Sequence, residues 1–181
     1  SCSDKLYFGL MRTIEDDIVV VQTHALWPMY WRGNEVRLLR NAYQSDLPQR
    51  GDFVVVPSPT SWMLRIILGL PHDIVDCDDR FSPEAIKING LVSCNCRQNQ
   101  YQIGKSLFLH LFGKLSFRIP DGQCLMVPSE AELYKMNYPF GLIPISSIIG
   151  QIESNSEEAP IGIFGPAQFD ASKKMGLQLN D

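Results

Sequence analysis

The chain has 181 residues, 45% hydrophobic and 20% charged, the composition of a folded globular domain and not of a disordered chain. Its net charge of −4 supplies no basic field, so nucleic acid is not an expected partner. Every apolar run is cut by a charged residue before it reaches the length of a bilayer span, and no targeting segment is visible at the start.

Residues 1–16 read as a lead-in, a remnant of a membrane-proximal segment. After it the pattern is mostly strand. "DDIVVVQTHAL" is a β-branched run entering a turn, and "NEVRLL" after Gly33 alternates polar with apolar residues. "RGDFVVVPSP" predicts a strand bounded by Gly51 and Pro57. "SWMLRIILGLP" is continuously apolar except for Arg65, and Pro71 ends it. In "EAIKINGLVSC" the pair Asn89-Gly90 between two apolar segments predicts a hairpin. "QIGKSLFLHLF", Gln102 to Phe112, is too evenly apolar for periodicity to choose between buried strand and short helix. "KLSFRIP" and "GQCLMVP" predict two more strands with Pro120-Asp121-Gly122 turning between them. The fold class is therefore mainly β, a β-rich α+β domain of antiparallel strands and hairpins. It runs over residues 17–150 with a small inserted subdomain around 74–121, and residues 151–181 form an acidic and polar tail.

The five cysteines, Cys2, Cys77, Cys94, Cys96 and Cys124, are an odd number without a disulfide rhythm. Cys94-Asn95-Cys96 offers half a zinc site, but no second ligand pair follows at a suitable spacing. His24, His72 and His110 are scattered. No metal and no cofactor is expected.

Four blocks in order across residues 17–150 resemble the type I signal peptidase family, membrane-anchored serine peptidases. That family's nucleophile loop runs Ser-Met-x-Pro-Thr-Leu, then two residues, then Gly-Asp-x-Val. Ala25, Leu26, Pro28, Gly33 and Val36 fall in this frame, with Asn34 where Asp is usual. The next block, Gly-Asp before a hydrophobic strand, is similar to Gly51-Asp52-Phe53-Val54-Val55-Val56. A third, Lys-Arg-x-x-Gly-Leu-Pro-Gly-Asp, resembles Arg65 through Asp73. The last resembles Pro128-Ser129-Glu130 through Phe140-Gly141-Leu142-Ile143-Pro144, closing on Ile148-Ile149-Gly150.

The resemblance implies a catalytic apparatus that these residues do not supply. The attacking serine would stand at Ala25, which has no hydroxyl, so no acyl intermediate forms there. The lysine base would stand at Arg65, whose guanidinium stays protonated and accepts no proton. The serine that orients the base aligns with Tyr134, and a structural Asp–Arg pair aligns with Met136 and Tyr138. Only Thr23 keeps a hydroxyl, where the family often has an oxyanion-hole serine. His24 adjoins position 25, but neighbours on an extended chain point to opposite sides.

By resemblance, substrate lies as an extended strand between residues 18–23 and roughly 61–68, which needs no nucleophile. Thr23, Ala25, Leu26, Trp62 and Arg65 are thus the expected binding residues, with Arg65 either paired to an acid such as Asp73 or Glu130 or reaching a partner's carboxylate. Trp27, Met29, Tyr30 and Trp31 form an apolar aromatic cluster expected to face lipid or a partner. The expected function is that of a catalytically inactive signal-peptidase-like protein. It would bind an extended peptide or a secreted, pilin-like protein on the outer face of the cytoplasmic membrane, with any anchor lying outside these residues. Two other readings stay open: an active signal peptidase whose serine has been replaced, and a structural subunit of an active peptidase.

Overall fold

The computed structural model describes residues 11–15, 18–21, 30, 32–59, 62–95, 97–136 and 140–153. In chain order the elements are β1 (Met11–Glu15), β2 (Ile18–Val21), β3 (Glu35–Leu39), β4 (Phe53–Pro57), β5 (Trp62–Gly69), β6 (Ile74–Asp78), β7 (Ala85–Ile88) and β8 (Leu91–Val92). The helix α1 (Lys105–Phe112) follows, then β9 (Ser116–Arg118), β10 (Gln123–Val127), β11 (Gly141–Pro144) and β12 (Gly150–Ile152), with two short 3-10 turns at Leu133–Lys135 and Ile145–Ser147.

Two antiparallel sheets result, and the expected mainly β class is met. The larger has the order β1-β2-β3-β12-β4-β5-β10-β11 and the smaller β8-β7-β6-β9. Strand β12 lies between β3 and β4, so the large sheet extends through Ile152. Within the stretch read as a lead-in, Met11–Glu15 pairs with β2.

Alternation along the strands divides the apolar residues between two faces. Val36, Leu38, Phe53, Val55, Leu64, Ile66 and Leu125 of the large sheet share one core with Val75, Ile86 and Ile88 of the small one. A second cluster, Val54, Val56, Ile67, Cys124 and Met126, occupies the outward face of the large sheet, under Tyr43, Ile143, Ile145 and Ile148.

Local chemistry explains several elements. Asn89 and Gly90 have φ of 51° and 84°, the left-handed pair that a two-residue hairpin turn requires, and β7 and β8 flank them. The undecided run from Gln102 forms a helix over Lys105–Phe112. The Glu84 carboxylate accepts the Lys105 amide at its first turn, and Gly113 closes it in the left-handed conformation with φ 71°. The turn at Pro120–Gly122 joins β9 to β10 as expected, but the two strands do not pair. β9 lies against β6 in the small sheet and β10 against β5 in the large one.

Candidate functional site

Arg65 sits in the middle of β5, opposite Val54 of β4. Leu64, Ile66 and Leu68 point into the shared core, which turns Met63, Arg65 and Ile67 to the outward face. Arg65 is nonetheless only 4% exposed. A cation removed from water must spend its donors on protein acceptors. Here Nη1 donates to the Leu64 carbonyl at 2.7 Å, and Nη2 lies 3.2 Å from the Met63 sulfur.

The acids expected to neutralise Arg65 are placed elsewhere. Asp73 is held by Arg50, with Nε to Oδ2 at 3.2 Å and Nη2 to Oδ1 at 2.5 Å. The Leu70 amide and Asn89 Nδ2 also donate to it, at 2.7 and 2.9 Å. Burial pushes the Asp73 carboxyl up. The hydrogen bonds from Leu70, Asn89 and Arg50 outweigh it, and the carboxyl ends below its ordinary range. Glu130 lines a cleft with residues 97–100, and its side chain has no hydrogen bond or ion pair among the described residues.

Among the described residues, the other expected site residues are not gathered around Arg65. Trp62 is half-buried against the shared core, with the Arg40 guanidinium 5.2 Å from its ring centre. Tyr134 is turned to solvent, where its hydroxyl donates to Glu132 at 3.0 Å. Met136 packs against the shared core, the face of β5 opposite to Arg65. Tyr30 corrects the expectation of a lipid- or partner-facing ring. It is 8% exposed, belongs to the shared core and packs edge-on against Phe53, which lets its ring bury apolar area inside the domain. Thr23, Ala25, Leu26, Trp27, Met29 and Trp31 lie outside the described residues, as do His24 and Tyr138.

Burial raises the described cysteine thiols, with Cys94 at about 11 and Cys124 at about 12. Among the described residues no group of three or more His, Cys, Asp and Glu is arranged to hold a metal ion. No helix of the described residues is long and apolar enough to cross a membrane.

The fold also forms an open polar cleft between residues 95–102 and 129–136 that is not among the sites expected from the sequence. Its signal in the sequence is the amide-rich run "NCRQNQYQ", which carries five asparagines and glutamines in eight residues.

No family model and no curated protein matches the sequence. Among solved structures the fold is similar to a signal peptidase I from Enterococcus faecalis. The identity is 18% and the TM-score 0.42, over 60% of this chain and 98% of that one.

Proposed function

We propose that this chain is a signal-peptidase-like domain that holds an extended peptide without cutting it. The proposal rests on the ordered sequence blocks, and one observation carries its negative half. The position where the resemblance implies a neutral lysine holds Arg65, a guanidinium buried in a strand and tied to the Leu64 carbonyl. Such a group has no lone pair with which to take a proton. Ala25, where the resemblance implies the nucleophile, has no hydroxyl to attack with.

What survives loss of chemistry is strand addition, in which main-chain hydrogen bonds supply affinity and side-chain pockets supply selectivity. Of the expected walls, residues 18–23 and 61–68, Ile18–Val21 is already paired on both edges by β1 and β3, so the proposed walls are the residues after Val21 and the stretch around Trp62. The proposed partner is an extended peptide or a secreted, pilin-like subunit, and the proposed setting is the extracytoplasmic face of the cytoplasmic membrane, in assembly or secretion.

The test incubates the chain, its Ala25→Ser variant and its Ala25→Ser/Arg65→Lys variant with an exported precursor. The expected result is no cleavage by the chain or by the single variant, and peptide-induced shifts at Trp62 in an NMR titration. Cleavage by the unaltered chain that disappears on mutation of Thr23 or Arg65 overturns the proposal in favour of an active peptidase. Absence of any peptide response around β5 leaves the structural-subunit reading in its place.

A further inference from the structure

The cleft between residues 95–102 and 129–136 has a volume of about 600 Å³ and walls that are firmly built. Asn95 is 3% exposed, and its Oδ1 accepts the amides of Arg97 and Asn99 at 3.0 and 2.9 Å. Its Nδ2 donates across to the Ser129 carbonyl at 2.9 Å. Tyr101 Oη donates to the Pro128 carbonyl at 2.9 Å, and the Gln102 amide donates to the Ala131 carbonyl at 2.8 Å. These bonds fix the amide-rich loop and the chain after β10 as one unit.

Asn99, Gln100, Gln102 and Glu130 line the space between them, and none of these four side chains has a hydrogen-bond or ion-pair partner among the described residues. Three of the four, Gln100, Gln102 and Glu130, are half-buried. Their polar atoms reach solvent, so they offer a ligand donors and acceptors that no described residue occupies. Glu132 on the rim is already engaged by Lys135 at 2.8 Å and by Tyr134, which leaves Glu130 as the carboxylate open to a ligand.

We infer that this cleft is a second binding site, for a short polar peptide segment whose lysine or arginine side chain meets Glu130. Each primary amide offers a donor and an acceptor together, the complement of a peptide unit, and the ionised carboxylate is an acceptor for a cation. With Glu132 paired to Lys135, an anionic ligand would still meet Glu130, the lining carboxylate with no ion-pair partner among the described residues. A sugar would find no aromatic ring among the described lining residues on which to lay its apolar face. The site is separate from the strand-addition groove proposed around Trp62 and does not depend on it.

The test titrates the isotopically labelled chain with two short, end-blocked peptides that differ only in carrying lysine or norleucine at one position, and with a neutral trisaccharide. The lysine peptide is expected to shift the side-chain amide signals of Asn99, Gln100 and Gln102 in a saturable way. Its dissociation constant is expected to rise about tenfold with norleucine, and about tenfold in Glu130→Gln. The norleucine comparison uses the unaltered chain and so does not depend on the variant folding. Equal affinity for the two peptides, binding of the trisaccharide at these amides, or no saturable shift there each overturns the inference. Shifts confined to Trp62 and its strand overturn it while leaving the strand-addition proposal standing.

Discussion

Arg50 and Asp73 are joined by two parallel hydrogen bonds, from Nε to Oδ2 at 3.2 Å and from Nη2 to Oδ1 at 2.5 Å. The pair ties the chain just before β4 to the turn between β5 and β6, the point where the large sheet passes into the small one. Asn89 joins the same carboxylate from the β7–β8 turn, so three loops converge on one side chain.

Asp73→Asn is expected to lower stability at neutral pH by about 1–3 kcal/mol, a figure kept modest because solvent reaches Arg50. Its sign with pH follows from the depressed carboxyl. The contribution is complete above the ordinary carboxylate range and is lost as pH falls through the lower value in the folded chain. Urea denaturation across the acid range should therefore show a shallower acid loss in Asp73→Asn than in the unaltered chain. Parallel acid limbs would show that Asp73 does not couple to folding.

Gly150 opens the strand that completes the large sheet, and there is no room for a side chain at that point. A Cβ placed there would come within 2.7 Å of Leu38 Cδ1 and 2.8 Å of the Leu39 carbonyl oxygen. The leucine tip can move, but the carbonyl belongs to the backbone of β3. Gly150→Ala is expected to cost about 1–3 kcal/mol, the usual range for overpacking, measured as a lower denaturation midpoint at unchanged slope.

The sequence carried local chemistry well and long-range choices poorly. Asn89-Gly90 announced its hairpin because the turn geometry is written in two adjacent residues. The turn at Pro120–Gly122 announced a change of direction but not that its strands join different sheets, since pairing is settled by β5 and β6 from elsewhere in the chain. Gln102 to Phe112 was undecidable because an even apolar run fits either element. The helix is fixed by Gly113 nearby and by Glu84, which a different loop supplies. Arg65, the lone charge in an apolar run, marked an unusual position, yet its expected acid Asp73 is claimed by Arg50, fifteen residues upstream of Arg65 (65 − 50). The amide cleft is not legible in the sequence because its walls meet only in the fold.

Thiol chemistry supplies a check on the core. Burial lifts Cys94 to about 11, and burial together with the nearby Asp73 and Asp52 carboxylates lifts Cys124 to about 12. Relative to an ordinary thiol with pKa about 8.5, the thiolate available for alkylation at neutral pH is lower by roughly a hundredfold or more. Cys77 is only half-buried. Alkylation of the native chain followed by peptide mapping should therefore label Cys77 well before Cys94 or Cys124, and urea should abolish the difference. Early labelling of Cys124 would contradict its position under Tyr43 and Ile143.

Tyr101 is the side chain whose loss most directly separates the amide-rich loop from the chain that follows β10. It is fully buried, and its hydroxyl donates to the Pro128 carbonyl at 2.9 Å. Tyr101→Phe keeps the ring in the core and removes only the hydroxyl, so the Pro128 carbonyl loses a donor in a place water does not readily reach. The expected cost is about 1–2 kcal/mol, against about 3–5 kcal/mol for Tyr101→Ala, which also empties the ring's volume. The two variants should differ in where the spectrum responds. In Tyr101→Phe the amide shifts should concentrate at Val127 and Ser129, beside the orphaned carbonyl, while Ile86 and Ile103 in the core stay in place. A negligible cost with no shift at Val127 or Ser129 in Tyr101→Phe would mean that ring packing, and not the hydroxyl, holds the two walls of the cleft together.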